Sequence, residues 1–190
     1  MPGYARAVKT ILVVDDAEVD AVIVATPVHT HFPLAQRALR AGKHVLVEKP
    51  FVTECAQADE LVELAARKRR VLMVGHTFEY TAAVNRIREI VAAGELGEIR
   101  VVNVEYAQDW LTEDLESTGQ KQAGWRTDPA RSGAGGSTGD IGTHAYNIAC
   151  FVTGLTLESL AADLDSFVSG RKVDDNGHVM LRFQGGAKGM

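Results

Sequence analysis

Residues 19–50 read VDAVIVATPVHTHFPLAQRALRAGKHVLVEKP, and their switch between apolar runs and helical spacing decides the fold. VDAVIVATP (19–27) is a β-branched run ending in a turn signal, the pattern of a strand buried on both faces. HFPLAQRALRAG (31–42) follows with helical periodicity, and Gly42 stands where a helix end takes a left-handed residue. KHVLVEKP (43–50) is a second buried strand, stopped by Pro50. Thr53 can cap the next helix, roughly 54–69, with Leu61, Val62, Leu64 and Ala65 inward, and VLMVG (71–75) is a third strand. Strand, helix, strand, helix, strand with short links implies right-handed crossovers and a parallel sheet.

The character changes after Gly75. A helix over 81–94 ends at Gly94, EIRVVNVEYAQDW (98–110) reads as one long strand, and a polar, glycine-rich loop covers 111–139. A loop of that length is expected to be functional rather than a mere connection. A helix opened by Asp140 runs to Thr153 with Gly154 behind it, then come strands at about 157–168 and 177–184. The GG pair at 185–186 signals a hairpin. Long strands without intervening helices predict an antiparallel sheet and an α+β second part, with an open hydrogen-bonding edge that seeks another chain. Towards the start, TILVVDD (10–16) reads as a strand or as the helix before the sheet strand, with helix favoured. The first 18 residues cannot supply a complete strand–helix–strand unit and the last begin a strand without room to finish, so the expectation is a fragment of something longer.

Bulk properties narrow the function. The chain has 190 residues, 46% hydrophobic and 24% charged, with a net charge of −5, which leaves no basic surface for nucleic acid. RKRR at 67–70 sits at a helix end, where cations favour the dipole, and reads as a solvated terminus. Cys55 and Cys150 lack metal or disulfide spacing, as expected of a reducing cytoplasm. The sequence holds neither an apolar stretch of membrane-spanning length nor a signal-peptide layout.

In an open parallel sheet, ligands sit at the carboxyl ends of the strands. Thr26, Pro27, His29 and His31 follow the first strand, Glu48 and Lys49 end the second, and His76 ends the third. A lysine closing VLVEKP is placed to share a proton with a hydroxyl or carbonyl; a strand-end ion pair facing water is the plainer alternative. In GGSTGDIGTHAYN (135–147), Asp140 and His144 stand four apart, either a helix cap with a satisfied histidine or an acid–base pair. His29-x-His31 with His76, Asp140 and His144 raises a metal-dependent hydrolase as a competing reading. A barrel of that kind usually needs about 250 residues, and it gives Lys49-Pro50 no role.

Glu48-Lys49-Pro50 and Asp140-x-x-x-His144, with WRTDP between them, strongly resemble the Gfo/Idh/MocA family of glucose–fructose oxidoreductase and inositol dehydrogenase type, over about residues 19–187. The resemblance implies an α/β fold: a partial Rossmann-like dinucleotide-binding domain over 1–78, then a partial α+β domain over 79–190 with an incomplete antiparallel sheet that mediates homo-oligomers. It implies hydride transfer between NAD or NADP and a CH–OH group of a sugar, inositol or polyol. By motif, Lys49 would hydrogen-bond the reacting oxygen, His144 would be the general base, and Asp140 would orient His144. Thr26, Pro27, His29 and Glu48 would touch the cofactor, as would Trp125 and Arg126. His76 and Asn147 would join Lys49, Asp140 and His144 around the substrate, and no metal is implied. Asn147 and GHTFEY (75–80) depart from the usual residues, leaving the substrate class open. No G-x-G-x-x-G opens a strand–helix turn, so weak cofactor binding or a catalytically silent remnant is expected. GAGGST (133–138) follows a polar loop, and its glycines are expected to bring the backbone close beside the substrate. A cis Lys49-Pro50 bond is also expected, turning the chain sharply to aim Lys49 inward.

Overall fold

The computed structural model describes residues 19–190, and TILVVDD lies outside them. The chain divides into one compact unit ending at Val74 and a second over Gly75–Met190.

In the first unit, β1 (Ala21–Val24), β2 (His44–Val47) and β3 (Leu72–Val74) form a parallel sheet in that order, joined by α1 (His31–Arg40) and α2 (Cys55–Lys68). Val22 pairs with Val45 and Val24 with Val47, so a single face of the sheet carries four valines. Helix α1 buries His31, Ala35, Ala38 and Leu39, the i, i+4, i+7, i+8 spacing of one helical stripe. With Leu61, Leu64 and Ala65 of α2 these residues make one core. Each fully buried Val or Leu there contributes about 1.5–3 kcal/mol.

Four expectations need correction here. The strands are shorter than their apolar runs, and β1 is covered on one face only among the described residues, leaving Ile23 67% exposed. Both α1 and α2 lie against the valine face. Val62 is exposed, one helical step round from the buried stripe. Thr53 does not cap α2: the N-cap is Glu54 in extended conformation, without a capping side-chain bond. Gly42 takes the expected left-handed conformation, Lys49-Pro50 is cis, and Arg67 to Arg70 form an exposed helix end.

The second unit opens with α3 (Ala82–Ala92), whose N-cap Thr81 accepts from the Val84 N–H. Then follow β4 (Val101–Val102), α4 (Lys121–Arg126), α5 (Pro129–Ser132), α6 (Thr143–Thr153), β5 (Leu157–Asp165), β6 (Asn176–Phe183) and β7 (Lys188–Gly189). The four strands run in the order β4-β7-β6-β5, antiparallel except for the parallel pair β4 and β7. Val102, Phe183 and Ala187 pack against Ala149 of α6.

Here too the structure revises the reading. Of the stretch 98–110 expected as one long strand, β4 is the part paired with β7, and beyond it the Val104 N–H meets the Met190 carbonyl at 2.9 Å. β7 lies inside the sheet, so the free edges are β4 and β5. The stretch 111–139 is not one loop: α4 and α5 fold within it, each started by a side-chain acceptor, Gln120 for Ala123 and Asp128 for Ala130. Asp140 is not a helix N-cap. It lies within a single π-helical turn, Thr138–Gly142, that runs directly into α6.

Candidate active site

The sequence-predicted residues divide between the units. Thr26, Pro27, His29, Glu48 and Lys49 belong to the first; His76, Trp125, Arg126, Asp140, His144 and Asn147 belong to the second.

In the first unit, parallel strands deliver their carboxyl ends to one edge of the sheet, which sets Thr26, Pro27 and His29 beside Glu48 and Lys49. The Lys49 N–H donates to the Glu48 carboxylate at 3.2 Å, and the Thr30 hydroxyl donates to Thr26 Oγ1 at 2.5 Å. His31, nearly fully buried, ties the two strand-end loops together. Its Nδ1 lies 2.9 Å from the Pro50 carbonyl and 3.2 Å from that of Phe51, and its Nε2 lies 2.7 Å from the Thr26 carbonyl. Both ring nitrogens therefore face main-chain oxygens, an arrangement of a structural tie rather than of a metal ligand.

In the second unit His144 is 7% exposed at the start of α6. Its ring meets Phe78 edge-on at 4.8 Å between centroids, with Tyr106 at 6.0 Å and His76 at 6.2 Å. One turn earlier, an Asp140 carboxylate oxygen lies 3.3 Å from Arg126 Nε. The Arg126 guanidinium stacks over the Trp125 ring at 4.2 Å and near Trp110 at 5.7 Å, and it donates to Gln122. Asn147 donates its amide to Glu79 at 2.6 Å. The structure thus joins Arg126 to Asp140 and His76 to His144, and it gives Asn147 a carboxylate neighbour.

Sequence reading missed Phe78, Glu79, Tyr106, Trp110 and Asp174. Phe78 and Glu79 lie in GHTFEY, already marked as unusual, whereas the other three had no local signal.

Within the glycine run before Asp140, the backbone meets a distant part of the chain. The Asp174 carboxylate accepts from the N–H groups of Gly136 and Thr138, both at 2.7 Å, and from the hydroxyls of Ser137 at 2.8 Å and Thr138 at 2.7 Å. A Cβ on Gly136 would fall 2.0 Å from the Asp174 carbonyl oxygen. The glycine there admits the chain's own backbone. Burial alone would raise the Asp174 pKa, but the bonds from Thr138, Gly136 and Ser137 outweigh it and hold the carboxyl below its ordinary value.

A second buried charge fixes the segment after Trp110. The Arg171 side chain is 1% exposed and pairs with Glu116 at 2.8 Å and Asp175 at 3.1 Å. It also donates to the carbonyls of Leu111 at 2.7 Å and Glu113 at 3.0 Å. The hydrogen bond from Arg171 holds the Glu116 carboxyl below its ordinary value, against the opposing effect of burial.

Residues 9–76 match the oxidoreductase family with an NAD-binding Rossmann fold, and residues 84–190 match the GFO/IDH/MocA C-terminal domain. The chain belongs to the Gfo/Idh/MocA family. An inositol dehydrogenase homolog of Azotobacter vinelandii, solved with NAD+, superposes with a TM-score of 0.85 at 35% identity, over 90% of this chain and 44% of its own. Levoglucosan dehydrogenase of Pseudarthrobacter phenanthrenivorans is 29% identical over 93% of this chain and 50% of its own length. An uncharacterized oxidoreductase of Bacillus subtilis is 32% identical over 90% of this chain and 44% of its length. The Gfo/Idh/MocA chain described here spans half or less of the length of these relatives.

Family membership and the carbonyl partners of His31 together remove the metal-hydrolase alternative. The Gly136 and Thr138 N–H groups are not a substitute phosphate cradle, because Asp174 already occupies both. Among the described residues no helix is long and apolar enough to cross a membrane.

Proposed function

We propose that the protein oxidises a CH–OH group of a sugar, inositol or related polyol with NAD or NADP, using His144 as general base. The observation that carries this reading is the burial of His144 among Phe78, Tyr106 and His76, one turn after the Asp140–Arg126 pair, in a chain of this family. When bound, the nicotinamide ring supplies a hydride acceptor. The substrate C–H and O–H bonds break together: the hydride leaves the carbon and the proton passes to a ring nitrogen of His144. Lys49 hydrogen-bonds the oxygen as it becomes a carbonyl, and Asp140 orients His144. Thr26, Pro27, His29 and Glu48 hold the cofactor, and Trp125 and Arg126 contribute to holding it. Asn147 and His76 hold neighbouring substrate hydroxyls, and Glu79 fixes the Asn147 amide so that its remaining polar atoms meet a hydroxyl.

The 190-residue sequence contains no G-x-G-x-x-G, so we read it as a weak dinucleotide binder. Calorimetry with NAD and NADP tests this directly, and micromolar affinity would overturn it. Fusing the N-terminal strand–helix–strand segment of a relative should raise oxidation of myo-inositol or levoglucosan, followed by absorbance of the reduced nicotinamide. In that fusion His144→Ala should lower kcat by about 10²–10⁴; an unchanged rate would overturn the mechanism. Exposed Leu160, Leu164 and Met180 on β5 and β6 support association of copies through this sheet. A monodisperse monomer in light scattering would oppose that. The free Cys55 and Cys150 support a cytoplasmic setting.

A further inference from the structure

Every helix begins with N–H groups that lack helical partners. At the helical run leading to His144, one distant residue takes three of them in succession. The Asp174 carboxylate accepts from Gly136 and Thr138, and the Asp174 carbonyl accepts from the Ser137 N–H at 2.8 Å. The run itself starts there, since the Asp140 N–H donates to the Gly136 carbonyl at 2.9 Å. Asp140 follows within one turn and His144 within two.

Asp174 is itself held. Next to it, the Asp175 N–H donates to the Asp165 carbonyl at the end of β5, at 3.0 Å. The Asp175 carboxylate accepts from the N–H groups of Phe167 at 2.8 Å and Val168 at 3.0 Å, and from Arg171 at 3.1 Å. Val173, on the other side, is buried. Space is as tight as the bonding. Gly136 has no room for a side chain, and a Cβ on Gly177 would fall 2.9 Å from Thr138 Oγ1. Neither the helix start nor the 173–177 segment can shift without the other.

We infer that Asp174 is a positioning residue: it fixes the start of the helical run, and through it the places of Asp140 and His144, from the end of the β5–β6 hairpin. The catalytic meaning rests on the general-base reading of His144, whereas the positional claim stands on geometry alone. The test therefore uses a readout that needs no turnover.

In the 190-residue chain labelled with 15N-histidine, the His144 ring resonances report its place against Phe78 and Tyr106 through ring-current shifts, and a His144→Gln spectrum assigns them. Asp174→Ala should move these resonances by more than their line width and speed exchange of the Asp140 to Gly142 amides by at least about tenfold. Asp174→Asn, which keeps one acceptor oxygen, should move them in the same direction by less. Asp175→Asn, which loosens the neighbouring residue but keeps all three Asp174 acceptors at the helix start, should move them less than Asp174→Asn does. His144 resonances unmoved in Asp174→Asn would overturn the inference, whether or not Asp174→Ala folds. Equal movement in Asp175→Asn would overturn it too, by showing a general loosening.

Discussion

Replacing Gly136 by alanine should unfold the second unit far more readily than the same change three residues on. The added Cβ would sit 2.0 Å from the Asp174 carbonyl oxygen, 2.7 Å from Val173 Cγ2 and 3.0 Å from Val173 Cβ. Two of these neighbours are main chain or held close to it, so relief requires a backbone shift of about 1 Å. Overpacking of that kind costs about 1–3 kcal/mol. The shift also breaks the Gly136 N–H bond to the Asp174 carboxylate and strains that of Ser137, worth about 1.5–3 kcal/mol for a charged acceptor. The sum is about 4 kcal/mol. Gly139 has nothing within 4 Å of its would-be Cβ. There alanine should be neutral or stabilise by up to about 1 kcal/mol, as in any helical turn. Both tryptophans, Trp110 and Trp125, lie in Gly75–Met190, so their fluorescence reports this unit alone. With a urea slope of about 2 kcal/mol/M, Gly136→Ala should lower the midpoint by about 2 M while Gly139→Ala should not lower it. Equal midpoints for the two variants would refute the reasoning.

Arg171→Leu strands Glu116, Asp175 and two carbonyls, and should cost about 3–5 kcal/mol by the same fluorescence; a loss under about 1 kcal/mol would contradict the role given to Arg171. The second unit should also lose stability in acid. For Asp175 as for Asp174, burial acts to raise the carboxyl, but hydrogen bonds, from Phe167 and Val168 in the case of Asp175, prevail and lower it. Folded values below the unfolded value of about 3.9 mean that this stabilisation is complete above about pH 5 and is lost as pH falls through the folded values. Urea midpoints that stay level down to about pH 3 would count against it. In the first unit, His31→Phe removes the ring nitrogens that face the Thr26 and Pro50 carbonyls and should speed amide exchange of Val24 and Glu48 by at least about tenfold; unchanged protection would sink this.

The first unit was legible because its signals are local. Four valines in alternation, a 3.6-residue stripe in α1 and Gly42 each announce one element within a few positions. What escaped depends on distant partners. The strand after residue 98 has a β-like composition, but which of its residues pair depends on β7, about ninety residues away. Asp140 looked like a cap because it precedes an apolar helix, while the acceptor for that helix start comes from Asp174, in a pair of aspartates that reads as an ordinary turn. Helices α4 and α5 are one or two turns long and were masked by the glycines around them. As candidates, Asp140 and His144 could be picked out from their four-residue spacing. The ring of Tyr106 beside His144 and the tie between Asn147 and Glu79 could not, since both arise only on folding.

Arg171 makes the segment after Trp110 a wall rather than a door. Lifting residues 111–116 away would strip a buried cation of two carbonyls and a carboxylate at once. At about 3–5 kcal/mol, such an opening is visited less than about once in a hundred encounters. The surface that this segment presents therefore keeps one preset shape instead of alternating between open and closed forms.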